Sequence, residues 1–468
     1  MLGEGPQPQL LASVEAAFRS LPDRYLGSEP GFDSTCHIRL GDLGHTWEVR
    51  CTSHAARVRK GATRRKPDVT IATDAATWLR LREGELSGLE AFRRRLLSVR
   101  GNLDHAVGFE GLFRLPNGRP PLLQIHDVNV GRHRVSTLTM GTGPDVLLIH
   151  GLTTSTDMFI MPEHRNIVQY LLDNAFGDVW SLDFRMSNRF SYNLQKNRFN
   201  MDDVALYDYP AAIAHIRSVI GPERKIHVIC HCLGSVTFMM SLFGKAVSGI
   251  SSVISNSVSL TPRVPAWSNI KLIAAPALCD YVFGVAYANP RWRREPGFSV
   301  GKLLGTVVSA FHHECDVPEC HMLSFMWGTG FPALYSHENL HDVTHRRGGD
   351  LFGGITFEYF RHVRKMVKTN NTAVKYDEAN PKYASLPNDY FQYAGDIQTP
   401  VLFITGQKNN VFTDSNIVAY ERLEKIVPGR HQLHLFPNYG HQDVFMGKNC
   451  HVDVFPRLLA FLNDHRGK

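Results

Sequence analysis

Lys225-Ile-His-Val-Ile-Cys-His-Cys-Leu-Gly-Ser-Val-Thr-Phe-Met-Met240 is an apolar run that passes through a short small-residue turn and then becomes apolar again. The first half suits a buried strand and the second an apolar helix. Within it, Cys230-His-Cys232-Leu-Gly234 stands position for position where a sharp strand-to-helix turn carries Gly-x-Ser-x-Gly, the arrangement that holds a nucleophile at an exposed tip. Such a turn brings the strand and helix backbones close together. It therefore demands small residues, which Gly234 and Ser235 supply and Cys230 approximates. Cys232 is expected at the tip, where a thiol is a better nucleophile than a hydroxyl near neutral pH and where the helix N-terminus favours the thiolate. Cys230, at the strand end, reads as a buried structural cysteine.

Working outward, other nearly all-apolar runs, Val146 to His150, Val179 to Asp183, Val253 to Ser255 and Val401 to Thr405, are separated by helix-length segments. That alternation predicts an α/β unit with a doubly wound, mostly parallel sheet. The long irregular stretch from about 261 to 400, rich in aromatics and histidines, is expected to be an inserted cap. Val146-Leu-Leu-Ile-His-Gly-Leu-Thr-Thr-Ser155 runs from a buried strand into His-Gly. The backbone N–H groups of Leu152 and Leu233 are expected to form an oxyanion hole, and His150 to be structural. Near the C-terminus, Tyr439-Gly-His-Gln-Asp443 follows an apolar strand and precedes a closing helix, which points to His441 as base among 23 histidines. The residue that orients this base should follow Val401 to Thr405, where Gly406-Gln-Lys-Asn409 offers Asn409 in place of an acid. A thiolate tolerates that neutral amide. Asp414 and Asp443 are the rivals for this position.

Ahead of this unit, Arg114-Leu-Pro-Asn-Gly-Arg-Pro-Pro121 has linker composition and places a boundary at 116–121. Residues 1–115 read as a small α+β domain: a helix over Leu10 to Leu21, strands near His37 to Leu40, Thr46 to Cys51 and Val69 to Ala72, and helices over Ala75 to Leu81 and Leu89 to Leu97. The basic residues Arg57, Arg59, Lys60, Arg64, Arg65 and Lys66 read as a solvated loop. Trp78, Leu79, Leu81, Leu86, Phe92 and Phe113 are expected to fill a core.

Pro67-Asp-Val-Thr-Ile-Ala-Thr-Asp74, Trp78-Leu-Arg-Leu-Arg-Glu-Gly84, Ala91-Phe-Arg-Arg-Arg-Leu96 and Val99-Arg-Gly-Asn102 together resemble the sterol-carrier-protein family over residues 10 to 115. That resemblance implies a sheet wrapped by helices around an apolar tunnel. The segment from 122 to 468 resembles the α/β-hydrolase domain fused to some cholesterol-oxidase-like oxidoreductases and, more distantly, the acid lipases. It does so through Trp180-Ser-Leu-Asp-Phe-Arg-Met-Ser187, Tyr207-Asp-Tyr-Pro-Ala-Ala212, Leu334-Tyr-Ser-His-Glu-Asn-Leu340 with Thr344-His345, and Tyr439 to Asp443 with Gly447. The resemblance implies Cys at the turn, Asn after the later strand, and Asp443 as a support for the histidine loop.

Composition narrows the function classes. With 468 residues, 43% hydrophobic and 20% charged, the chain suits globular rather than disordered structure. A net charge of +7 is too small for this length to imply nucleic acid, and acidic thioester carriers or at most peripheral membrane contact fit it as well. Leu272 to Ala288 is interrupted by Pro276 and Asp280 and does not read as a membrane span. Eight irregularly spaced cysteines and the absence of a signal-like N-terminus point to a reducing, cytoplasmic setting. His312-His-Glu-Cys315 and Cys320-His321 contain zinc-ligand types, but their spacing matches no standard finger, so no metal or cofactor is assigned. Phe325, Trp327, Phe331 and Tyr335 are expected around an apolar acyl pocket. The resulting expectation is cysteine-dependent acyl transfer, cyclisation, condensation or hydrolysis on a lipid-like ester, acyl-CoA or carrier-protein thioester. The alternative is a non-catalytic lipid-binding protein with a decayed second domain.

Overall fold

The structure, a computed structural model, describes residues 6–28, 31–63, 67–86, 88, 91, 94–101, 103–116, 124–130, 133–140, 145–161, 163–176, 178–188, 190, 193, 199–279, 284–285, 287–294 and 297–466. The chain divides into two compact units, 1–125 and 126–468. Most of the expected linker, 117–121, lies outside the described residues, as do Arg64, Arg65, Lys66 and, within the helix expected at Leu89 to Leu97, Leu89, Glu90, Phe92 and Arg93.

In the first unit, strands β1 (Asp33–Leu40), β2 (His45–Thr52), β3 (Ala56–Lys60), β4 (Val69–Thr73) and β5 (Leu97–Gly101) form a sheet in the order β3-β2-β1-β4-β5. β1 pairs parallel with β4, and the other pairings are antiparallel. Along β4 the burial alternates, with Val69, Ile71 and Thr73 inward, as a one-sided sheet requires. Helix Ala75–Glu83 starts where the Asp74 carboxylate accepts the Thr77 N–H and stops at Gly84, whose φ of +73° ends the helix in a left-handed turn. The ring of Phe18, from helix Pro6–Arg19, stacks on Trp47 at 4.5 Å and on Trp78 at 4.6 Å. Trp78, Leu81, Leu86 and Phe113 belong to the same core and Leu79 packs against it, in line with the core reading. Two expectations fail. Arg57, Arg59 and Lys60 sit on β3, an edge strand whose charges discourage further pairing, rather than in a loop. Leu97, expected to end a helix, begins β5.

The second unit carries β6 (Gln124–Val130), β7 (His133–Met140), β8 (Asp145–Ile149), β9 (Asp178–Asp183), β10 (Ile226–His231), β11 (Ile250–Asn256), β12 (Tyr287–Ala288), β13 (Ile355–Thr356), β14 (Val401–Gly406) and β15 (Gln432–Phe436). Its main sheet has the order β15-β14-β11-β10-β8-β9-β7-β6, parallel from β15 through β9, with β7 antiparallel to β9. β8, β10 and β14 are buried at every residue, which is why they read as continuous apolar runs. The pair β6 and β7 had no counterpart in the sequence reading. From β8 the chain winds one way to β9, then crosses over and winds the other way through β10, β11, β14 and β15. The ends of β8 and β10 therefore flank the topological switch point, where open α/β sheets place their sites. Between Asn256 and Val401 lie helices Ala266–Ala277, Val300–Ala310, Pro318–Met326 and Glu358–Lys368 and the short β12/β13 pair. No helix among the described residues is long and apolar enough to cross a membrane.

Candidate active site at the end of β10

Cys232 is the first residue of helix Cys232–Phe243, directly after β10, with φ of +51°. That left-handed conformation is costly for a residue with a side chain and persists here because strand and helix fix it from both sides. The turn is as tight as the motif implies. A Cβ on Gly234 would lie 2.2 Å from the His150 carbonyl oxygen and 2.6 Å from Ile149 Cγ2. Cys230 is fully buried and donates to the Ile254 carbonyl, a structural role. Ser235, the neighbouring hydroxyl, is buried against Ser255 at 2.6 Å and does not compete as nucleophile.

The backbone N–H groups of Leu152 and Leu233 both hydrogen-bond the Cys232 sulfur. Leu152 reaches it because β8 delivers Gly151 against the turn, where a Cβ would meet Cys232 Cβ at 2.9 Å. His150 is fully buried, stacked on Phe184 at 4.5 Å with Nε2 3.3 Å from Asp183 Oδ1, beneath this loop rather than in the site. The expected preformed thiolate is corrected. Burial pushes the Cys232 thiol up to about 12, outweighing the two N–H donors and the helix terminus.

His441 reaches the same point from the loop after β15. Donor atoms of His231, Cys232 and His441 lie within 4.8 Å of one another. Desolvation lowers His441 to about 3, so thiol and imidazole both rest neutral. The loop is held at its backbone: the His441 N–H donates to the Leu334 carbonyl at 3.0 Å, and the Ser257 hydroxyl donates to the His441 carbonyl at 3.1 Å. His441 Nδ1 is buried without a hydrogen-bond partner.

Asn409 is therefore not the residue that orients His441. Its carboxamide is committed to its own loop, donating to Thr405 Oγ1 and the Phe412 carbonyl and accepting from the N–H groups of Val411 and Phe412. A four-residue polar turn after a strand satisfies an Asn locally before it can reach outward. Asp414 pairs with Arg263 at 2.7 Å, both half-exposed, and takes no part in the site. Asp443 accepts from the Gly440 N–H at 2.7 Å, the Asn339 amide at 2.7 Å and the Ser336 N–H at 3.2 Å. It braces the histidine loop, and burial raises its carboxyl to about 6.

Sequence reasoning missed His231 and Asn256. The Asn256 amide, at the end of β11, donates to His231 Nδ1 at 2.7 Å, which leaves the proton on Nε2, and the His231 ring lies 4.9 Å from that of His441. The available signal was Asn256-Ser257 closing an apolar strand beside the switch point. Cys232 and His441 open on a cavity of about 200 Å³ walled mainly by Leu272, Met326, Trp327, Phe357 and Phe360. Phe325 and Trp327 line it as expected, whereas Phe331 packs on His312 and is exposed, and Tyr335 is buried outside it.

Residues 31–114 match the SCP-2 sterol transfer family. The match covers the sheet of the first unit; the second unit has the sheet topology of the α/β-hydrolase fold. Gastric triacylglycerol lipase of Rattus norvegicus is 29% identical over 132 residues, 27% of this chain and 29% of the lipase, so the shared stretch spans less than a third of that relative. Among solved structures, a soluble variant of monoglyceride lipase from Saccharomyces cerevisiae is 14% identical, covering 73% of this chain and 96% of its own, with a TM-score of 0.48. A carboxylesterase from Bacillus subtilis is 16% identical, covering 73% and 91%, with a TM-score of 0.42.

Proposed function

We propose that the chain is an enzyme of lipid ester chemistry in which Cys232 forms an acyl-enzyme. The observation that carries this reading is the convergence of the Leu152 and Leu233 N–H groups on the Cys232 sulfur, with a His441 nitrogen within 4.8 Å. In the reaction, Sγ bonds to the carbonyl carbon of an ester or thioester while its proton passes to His441. The carbonyl oxygen becomes an oxyanion held by the two N–H groups, each worth about 3 kcal/mol at comparable sites. Collapse breaks the bond to the leaving group, which takes the proton from His441, and leaves a Cys232 thioester. Water or an alcohol, deprotonated by His441, then takes the acyl group, and the thiolate leaves and is reprotonated.

A thiol suits a base with no carboxylate behind it, because a sulfur nucleophile needs less help in losing its proton than a hydroxyl does. The apolar cavity favours a long acyl chain, each buried methylene contributing about 0.8 kcal/mol. The SCP-2 unit supplies a second apolar-ligand module for the same substrate class. Intact mass spectrometry of wild type, Cys232→Ala and His441→Ala after exposure to long-chain aryl esters and acyl thioesters tests the reading. An acyl adduct in wild type and none in Cys232→Ala is expected, and added water or alcohol then separates hydrolysis from transfer. A folded wild-type protein that binds lipid yet forms no adduct and turns over no ester of any chain length overturns the reading in favour of a non-catalytic lipid binder.

A further inference from the structure

Outside the Cys232 centre, four side chains from the segment between β11 and β14 converge on one point. Cys315 precedes helix Pro318–Met326 and Cys320 lies in its first turn, while His337 sits on the single turn His337–Asn339 and His345 on the short helix Asp342–Arg346. Their donor atoms all lie within 4.8 Å of one another. Cys320 Sγ is 3.3 Å from His337 Nε2, and the two imidazole rings are 4.4 Å apart. His345 Nε2 is buried with no hydrogen-bond partner, an orphan that a cation would satisfy. Cys320 is buried and the other three are half-buried, so the cluster is screened but reachable.

Two thiols and two imidazoles are the donor set of tetrahedral zinc. With Zn–S near 2.3 Å and Zn–N near 2.0 Å, the ligand atoms of such a site lie about 3.3 to 3.8 Å apart. The four atoms are thus within about an ångström of a closed shell. A supporting contact is present as well: the Tyr335 hydroxyl hydrogen-bonds the Cys320 sulfur.

We propose that Cys315, Cys320, His337 and His345 bind a structural zinc ion. Binding releases the two thiol protons to solvent, so that Zn²⁺, two thiolates and two neutral imidazoles leave the site uncharged overall. Four protein ligands fill the shell and leave no open position for substrate, which makes the ion a brace and not a Lewis acid for the reaction. What it braces is the neighbour of His441. The Leu334 carbonyl accepts from the N–H groups of His441 and Gln442, and Ser336 and Asn339 hold Asp443. His337 lies between these contacts, so the ion ties the two cysteines to the segment that seats the histidine loop.

Of the histidines named with these cysteines in the sequence, His312 pairs with Glu314 at 2.6 Å, while His321 Nδ1 bonds Ser309 at 3.1 Å and its Nε2 lies 2.9 Å from the Cys315 carbonyl and 3.4 Å from the Cys315 sulfur, so His321 borders the cluster of four without belonging to it.

The test is the metal content of the full-length chain, purified reduced and without chelator and then dialysed against zinc. About one zinc ion per chain is expected in wild type and in Cys232→Ala, and essentially none in Cys315→Ser/Cys320→Ser. Retention in Cys232→Ala separates this site from the His231, Cys232 and His441 group. Because a ligand variant that unfolds also loses metal, cobalt exchange into wild type provides a second reading: thiolate-to-cobalt charge-transfer bands with a tetrahedral ligand-field spectrum support the site. Substoichiometric zinc in wild type, a Cys315–Cys320 disulfide in the reduced preparation, undiminished zinc in the double cysteine variant, or a cobalt spectrum without thiolate bands overturns it.

Discussion

Cys232 and His441 form a pair that rests uncharged. Burial drives the thiol up to about 12 and the imidazole down to about 3, so no ion pair waits for substrate. In the proposed reaction the proton moves only as the sulfur attacks, and His441 would serve as base wherever it is unprotonated. With its pKa lowered, that range extends down to about pH 3. An ordinary histidine near 6.5 would cost about 20-fold in the base-dependent rate between pH 7 and pH 5. The expectation for this protein is a kcat/KM for ester cleavage that is nearly flat over that interval in the folded enzyme. A fall of the full 20-fold, with the fold intact by circular dichroism, would show that His441 is solvated in the working state.

At the scale of elements, the site is a product of how closely β10 and helix Cys232–Phe243 approach β8. Gly234 is fixed by that approach, since a methyl group there would strike the His150 carbonyl backbone at 2.2 Å, an atom that cannot swing aside. Gly234→Ala is therefore expected to destabilise the second unit by about 3 kcal/mol through overpacking, read as a lowered urea midpoint. An unchanged midpoint would mean that strand and helix stand further apart than described. The histidine loop depends on a different set of elements. Asn256-Ser257 at the end of β11 and Leu334 to Asn339 from the inserted segment grip its backbone and Asp443. His441 is thus positioned by two segments remote from it in sequence, and its ring by packing against His231 and Phe412 rather than by a carboxylate.

Across the whole molecule, burial of histidine is the dominant electrostatic theme. Desolvation lowers His164, His227 and His431 to about 4 and His441 to about 3. The sign follows from linkage. Below pH 6.5 the unfolded chain binds a proton at each of these histidines and the folded chain does not, so stability present above 6.5 is lost as pH falls. Each group contributes about 1.4 kcal/mol per pH unit until its folded pKa is reached. Asp443, raised to about 6, titrates in the opposite sense but is a single group. Thermal unfolding followed from pH 7.5 to pH 5 is expected to show a steadily falling Tm for the second unit, which holds all four histidines. A Tm constant over that range would show that these imidazoles are hydrated in solution.

The sequence alone determined the features that rest on local pattern. Continuous apolar runs announced the buried parallel strands, because a strand covered on both faces has no polar side to show. The motif around Cys232 announced the turn, because only small residues let a strand and a helix meet so closely. The placement of His441, Leu152 and Leu233 beside Cys232 followed from their positions after β15, β8 and β10. What only the tertiary structure decided depended on competition among neighbours. Asn409 spent its hydrogen bonds on its own loop, Asp414 found Arg263, and Asn256 turned toward His231. Burial reversed the charge state expected for Cys232, since the loss of solvation exceeds what a helix terminus and two N–H donors return. Cys315 and Cys320 met His337 and His345, whose rings separate turns bring to the sulfurs, while His312 is held by Glu314 and His321, though 3.4 Å from the Cys315 sulfur, bonds Ser309 and the Cys315 carbonyl. Spacing along the chain records which residues share a strand or a turn, but the partners of a buried polar group are set by what the fold leaves within 3 Å of it.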